Sequence, residues 1–282
     1  LELGIWYQQL NRKDEALKVF SLAVPNAEIM YWRAFLENTP VDLSKIQPGL
    51  SFPFRGETAL ILEDLIKKND QWQLKYHLAL IEWNRNNLSK AKDLFAQCGT
   101  KPNDPAFYAA KASLFKDDSQ LVLTNLQQAI KLDNQGWRYY KLLAEHYIIQ
   151  KQYDKALAVT EPFYKKHKEN YVIGMLYAKT LLLNKKYAAA DAFLTKLEIL
   201  PFEGAIAGRQ LYHEAKLMQA VTEMKSKQYK KALQFIADAK LFPENLGVGK
   251  PYDVDIDERL ENWLDYQCYT SLGDSEKANQ SL

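Results

Sequence analysis

The chain of 282 residues is 47% hydrophobic and 26% charged, an ordinary globular balance, and its 37 basic and 35 acidic side chains leave a net charge of +2. That charge gives no footprint for nucleic acid or an anionic membrane as partner. No apolar run reaches the roughly 20 residues that cross a bilayer. Cys98 and Cys268 stand far apart in apolar helical surroundings, so they read as small core residues of a reducing compartment, which favours cytoplasm over periplasm.

In chain order, the first segment opens Leu1-Glu2-Leu3-Gly4 without Met, so it reads as part of a longer chain. Gly4, Tyr7, Ala16, Phe20 and Ala23 form the back of a truncated first repeat, which with an extra helix fills residues 1–39. Residues 40–57, PVDLSKIQPGLSFPFRGE, carry three prolines and two glycines and predict an irregular linker. The main array spans 58–282. LALIEWNRNNLSKAKDLFAQC (78–98) predicts a helical hairpin through Ala79, Leu88, Ala91, Phe95 and Cys98. Ala110 and Ala129 bracket a hairpin with a compressed turn at Lys116-Asp117-Asp118.

Next, LLAEHYIIQKQYDKALAVTEPF (142–163) and LYAKTLLLNKKYAAADAFLTKL (176–197) align Ala144 with Ala178, Tyr153 with Tyr187 and Ala156 with Ala190, at a spacing of 34 residues. Pro162 predicts a kink or an early end to its helix, because it removes one intrahelical donor. MQAVTEMKSKQYKKALQFIADA (218–239) repeats the frame through Ala220, Tyr229, Ala232 and Ala239. Tyr266, Tyr269, Gly273 and Ala278 begin a last copy. Extra residues enter near 201–208 and 242–257, where Ala190 to Ala232 is 42 residues and Ala232 to Ala278 is 46. Small residues where two antiparallel helices meet, with larger apolar residues at helical spacing, predict an all-α stack of helix pairs.

The insertion ENLGVGKPYDVDID (244–257) is not a phosphate loop, because Glu244 and Pro251 stand where glycine and a hydroxyl are needed. Nor is it an EF-hand, since Glu258 and Leu264 replace the required Gly and Glu. It reads as an ordered connection in which Asp255 or Asp257 caps the next helix with Glu258 as reciprocal partner. Asn245, Lys250, Tyr252 and Asp253 are its candidate contacts for a ligand.

His77, His146, His167 and His213 are scattered without a zinc spacing, neither cysteine has a metal partner, and no G-x-S-x-G elbow occurs. Carboxylates such as Glu203 and Glu214 look like ordinary helix-surface charges. The expectation is therefore a non-catalytic chain with no catalytic residues, metal site or cofactor.

The 34-residue frame resembles the tetratricopeptide repeat, which implies a right-handed superhelix of antiparallel helix pairs, a TPR-like α-solenoid. The resemblance implies a concave face lined by the first helix of each pair. The family's groove positions fall on Gln73, Tyr76, Leu80 and Trp83; on Asp104, Phe107, Lys111 and Leu114; and on Arg138, Lys141, Glu145 and Ile148. They continue on Val172, Met175, Lys179 and Leu182, then Glu214, Leu217, Val221 and Met224. Of these, Tyr76, Trp83, Phe107, Lys111, Arg138, Lys141, Met175, Lys179 and Leu182 are the candidate partner-binding residues. Trp83 and Phe107 could equally bury against neighbouring helices. Lys141 suits a peptide carboxylate, but Glu145 would repel it, which disfavours a chaperone-tail clamp.

Residues 69–99, 171–220 and 242–266 also resemble the repeat region of bacterial proteins, common in Bacteroidetes, that carry the domain called DUF5107. That resemblance implies an N-terminal β-rich part, similar to sugar-mutarotase-like sandwiches, before the helices. The expected partner is a protein or the chain's own N-terminal domain. The alternative is a carbohydrate-binding or carbohydrate-processing site shared with that domain.

Overall fold

The computed structural model describes residues 1–202 and 205–281, without the side chain of Asp253. Every described regular element is helical. Two compact units divide the chain, residues 1–139 and 140–282.

In the first unit α1 (Glu2–Gln9) pairs with α2 (Lys13–Leu22), α3 (Ala27–Glu37) with α4 (Gly56–Lys68), α5 (Trp72–Asn84) with α6 (Leu88–Gln97), and α7 (Pro105–Leu114) with α8 (Ser119–Leu132). Local chemistry starts several of them. Asn26 accepts from Ile29 N at 3.0 Å, Asp118 from Leu121 N at 2.9 Å, and Asp104 from Ala106 N at 2.8 Å, each filling an orphan donor of a first turn. The core runs continuously from Ile5 to Leu114 and is rich in rings: Phe20, Tyr31, Trp32, Trp72, Tyr76, Phe95 and Phe107.

The boundary falls inside α9 (Trp137–Ile149). In the second unit Tyr140 and Phe163 join α9 to α10 (Tyr153–Lys166) with ring centroids 4.3 Å apart. Then follow α11 (Tyr171–Leu183), α12 (Tyr187–Leu194), α13 (Ala207–Lys225), α14 (Tyr229–Ala239), α15 (Arg259–Leu272) and α16 (Ser275–Gln280), each packed on the next. Thr160 on α10 and Thr180 on α11 share a buried hydrogen bond of 3.0 Å.

Most of the repeat alanines lie buried as the frame predicts, while Ala23 and Ala110 are half-buried. Ala79, Ala91, Ala144, Ala156, Ala178, Ala190, Ala220, Ala232 and Ala239 are all fully buried, because a larger side chain would hold the paired helices apart. Pro162 does not end its helix. α10 continues four residues beyond it, and the ring stands exposed on the helix surface, where only one donor is lost.

One device is absent from the alanine frame. Asn11, Asn86, Lys151, Lys185 and Lys227 each follow a first helix by two residues, and each has φ between 56° and 62°. The next amide then reaches back to the helix, as Asn87 N does to Glu82 O at 2.8 Å and Lys186 N to Leu181 O at 2.9 Å. This left-handed closure lets three residues turn the chain.

The inserted loops of the second unit clasp each other. Asn245 Nδ2 donates to Leu194 O at 2.9 Å and Leu197 O at 2.8 Å, while Ile199 N donates to Asn245 O at 2.8 Å. Leu246 is buried among Leu197, Ile199 and Tyr212. Gly247 has φ of 73°, and a Cβ there would stand 2.9 Å from Ile199 O. Further on, Asp257 accepts from Arg259 N at 3.1 Å and pairs with its guanidinium, while Glu258 occupies the cap position without a side-chain cap bond. The cap chemistry thus belongs to Asp257 alone, because Glu258 turns instead to Lys240 at 3.2 Å.

Candidate interaction surface

In the first unit the helices α5 and α7 carry the sequence-predicted groove positions. Tyr76 and Phe107 are 0% exposed. Their centroids lie 5.3 Å apart, and each packs edge-on or tilted against Phe95 and Trp72. The pair therefore acts as core, since a ring closed in by three others presents no face to a partner. Leu80 and Trp83, one and two turns further along α5, stay half-buried. Lys111 is half-buried with Nζ 5.9 Å from the Phe107 ring centre, and Arg138 is exposed over Trp137 at 4.6 Å.

Sequence reasoning set residues 40–57 aside as a linker, yet they line this face. They contain two one-turn 3-10 helices, Leu43–Lys45 and Pro48–Leu50, and the second packs against both α5 and α7. Phe52, Pro53 and Phe54 form a shallow apolar recess with Leu80, Trp83 and Asn84. Phe52 is 65% and Phe54 56% exposed, and the Arg55 guanidinium lies over the Phe54 ring at 5.5 Å.

Two polar side chains hold this segment, His77 fully buried and Asp104 half-buried. His77 Nε2 lies 3.2 Å from Pro48 O and its Nδ1 2.6 Å from the Tyr31 hydroxyl. A carbonyl only accepts, so Nε2 carries the proton and Nδ1 accepts from Tyr31. Burial pushes the His77 imidazole down to about 4, which keeps it neutral in this arrangement. Asp104 divides its oxygens: Oδ1 caps α7, and Oδ2 accepts from Gly49 N at 2.9 Å. The repeat register pointed to Asp104; for His77 the one signal was its place beside Tyr76 on a helix with no polar face.

In the second unit Lys141 pairs with Glu145 at 2.7 Å, which neutralises the cation a peptide carboxylate would need. Met175 is half-buried, Lys179 exposed and Leu182 buried in the core. Charged groups concentrate on α13. Lys216 lies between Asp191 at 2.9 Å and Asp238 at 3.3 Å, and His213 pairs with the buried carboxylate of Glu261. Of the loop candidates, Asn245 is committed to the clasp, Lys250 is exposed, and Tyr252 is 84% exposed. The Asp253 side chain and Glu203 lie outside the described residues.

Both cysteines are buried, and burial pushes the Cys98 thiol up to about 12 and that of Cys268 to about 11, far from thiolate chemistry. Among the described residues no group of three or more His, Cys, Asp or Glu side chains converges as metal ligands would, and no helix is long and apolar enough to cross a membrane.

Paired helices closed by left-handed turns over fully buried alanines define a tetratricopeptide-like helical-repeat fold. A chain of the Naa15/Naa10 structure bound to HypK-THB is similar over 80% of this chain and 33% of its own length, at 15% identity and a TM-score of 0.53. This chain thus spans one third of that one. The C-terminal part of a TPR repeat-containing protein from Cytophaga hutchinsonii matches 100% of this chain and 98% of its own, at 16% identity and a TM-score of 0.44. A tetratricopeptide repeat protein from Parabacteroides merdae matches 88% and 92%, at 10% identity and a TM-score of 0.44. No family model and no curated protein matches the sequence.

Proposed function

We propose that residues 1–282 form a non-catalytic interaction module that holds a protein partner, or an N-terminal domain of its own chain, against its first helices. One observation carries this reading: Phe52, Phe54 and Trp83 gather aromatic rings beside Leu80 at the surface of the first unit, although the core beneath is already closed. Clustered exposed rings of this kind favour association with an apolar partner. Lys111, Arg138, Met175 and Lys179 supply further contacts from the two units separately.

The resemblance of 69–99, 171–220 and 242–266 to the DUF5107 repeat region supports a bacterial source and a β-rich domain as intramolecular partner. In the carbohydrate alternative, the rings of the first unit, or Tyr252 in the second unit by itself, would stack on a sugar held jointly with that domain.

The test is affinity capture on two columns, one carrying this chain and one carrying Phe52→Ser, Phe54→Ser and Trp83→Ser together, after circular dichroism has shown equal helicity. A protein or added β-rich domain kept by the first column and lost by the second supports the module. Equal retention on both sinks this face as the interaction surface. Sugar-dependent retention lost in the same variant favours the alternative.

A further inference from the structure

Eighteen residues (38–55) connect α3 to α4, where three (85–87, 150–152 and 184–186) close other hairpins of the chain. Closing the hairpin does not require that length. Nor does the excess run free: Val41, Ile46 and Pro48 are buried, and the segment lies across two successive first helices, α5 and α7.

Besides this side-chain burial, the face grips the segment by its backbone. His77 donates to Pro48 O, and Asp104 accepts from Gly49 N, across 29 and 55 residues of sequence. On either side the chain is extended, with φ and ψ of −97° and 126° at Ile46 and −126° and 126° at Ser51. The gripped carbonyl and amide themselves belong to the 3-10 turn Pro48–Leu50, set between those extended flanks; side-chain groups that read a main-chain carbonyl and the amide following it are a means by which a groove takes a peptide. The close approach is tight: a Cβ on residue 49 would stand 2.6 Å from Asp104 Oδ1 and 3.0 Å from Ala106 Cβ. Beyond it, Phe52 and Phe54 reach the Leu80–Trp83 recess without being buried by it, so the apolar subsite is only partly filled.

We propose that the α5–α7 face is a binding site for a peptide whose Pro-Gly forms a single turn between extended flanks and is followed by aromatic residues, and that residues 46–54 are its resident occupant, which such a partner displaces. This rests on the reading of the face as an interaction surface. A tethered occupant competes at an effective concentration on the order of millimolar, so the unaltered chain shows only weak binding of a free peptide.

The probe is a fluorescein-labelled peptide of residues 44–56, followed by fluorescence anisotropy against the full chain. Gly49→Ala in the protein expels the resident segment, and the peptide then binds at least tenfold more tightly than to the unaltered chain. Adding Asp104→Asn cancels the gain, because asparagine still caps α7 but its amide cannot accept from the Gly49 amide. A peptide that itself carries Gly49→Ala binds at least tenfold more weakly. A second protein, with residues 46–54 replaced by a Gly-Ser segment of equal length, opens the site by another route and shows the same gain.

Equal binding of the two peptides, or no gain in either folded variant, overturns the proposal. Loss of folding in both variants overturns it as well, since the segment is then part of the core rather than an occupant. Neither result touches the capture experiment with Phe52, Phe54 and Trp83, which reads the outward rings with the segment in place.

Discussion

The Tyr31 hydroxyl donates to His77 Nδ1 at 2.6 Å, tying α3 to α5 inside the first unit, and thereby presents the other nitrogen of the same ring to Pro48 O. One proton fixes the tautomer, the tautomer fixes the donor, and the donor holds the linker. Tyr31→Phe removes the first link and leaves a buried imidazole nitrogen without a donor. It should destabilise the first unit by about 1–3 kcal/mol, read as a lower urea midpoint with an unchanged slope. A midpoint shift close to zero would show that Nδ1 needs no partner there.

The same ring sets a pH dependence. Unfolded, His77 takes up its proton near the ordinary value of about 6.5; folded, burial holds it down to about 4. Between those values the unfolded chain binds more protons, so stability falls as pH drops from 6.5 toward 4, by roughly 3 kcal/mol in full, and is unaffected above 6.5. Tyr31, Tyr76 and Asp104 face the ring or its neighbourhood, and Tyr31 and Tyr76 are held protonated by burial. His77→Gln should flatten the slope of unfolding free energy between pH 6.5 and 4. An unaltered slope would assign the dependence elsewhere.

The left-handed turns offer a gain in stability. Lys151, Lys185 and Lys227 hold φ of 56° to 58°, a conformation that costs an L side chain about 1–2 kcal/mol and glycine almost nothing. Glycine's greater freedom in the unfolded chain offsets part of that difference. Each Lys→Gly change should therefore stabilise by about 0.5–1 kcal/mol, and the three together should add up because the turns are separate. Differential scanning calorimetry on the single and triple variants checks this; a lower melting temperature would mean that the lysine side chains do more at the turns than tolerate them.

The alanine spacing in the sequence carried the hairpins, because close helix approach admits only small residues and the same demand recurs every repeat. The groove residues were less legible for a related reason. Register places Tyr76, Phe107 and Leu182 on the first-helix face, but register says nothing about how closely the next helix approaches, and in this chain it closes over all three. Lys141 and Glu145 lie four residues apart, so their pairing could be read in advance. The role of residues 46–54 could not, since it depends on His77 and Asp104 meeting a backbone 29 and 55 residues away. Composition alone made that segment look like a spacer.

Asn245 gives the last prediction, on the insertion whose purpose the sequence left open. Its side-chain amide donates to Leu194 O at the end of α12 and to Leu197 O beyond it, and its backbone carbonyl accepts from Ile199 N, so one residue binds the two inserted loops together. Asn245→Ala removes two bonds to carbonyls of the buried residues Leu194 and Leu197 and should cost about 1–3 kcal/mol. Gly247→Ala should cost a similar or larger amount, since it adds a strained φ of 73° to a Cβ placed 2.9 Å from Ile199 O. By contrast Gly249→Ala, with open space around it, should be neutral. The reading is hydrogen exchange at Leu246 and Gly247, whose amides bond to Pro243 O and Glu244 O. Faster exchange in the first two variants and unchanged exchange in the third would make the first half of the insertion a structural clasp. If all three exchange alike, Asn245 does not hold the loops, and the clasp must rest on the burial of Leu246 alone.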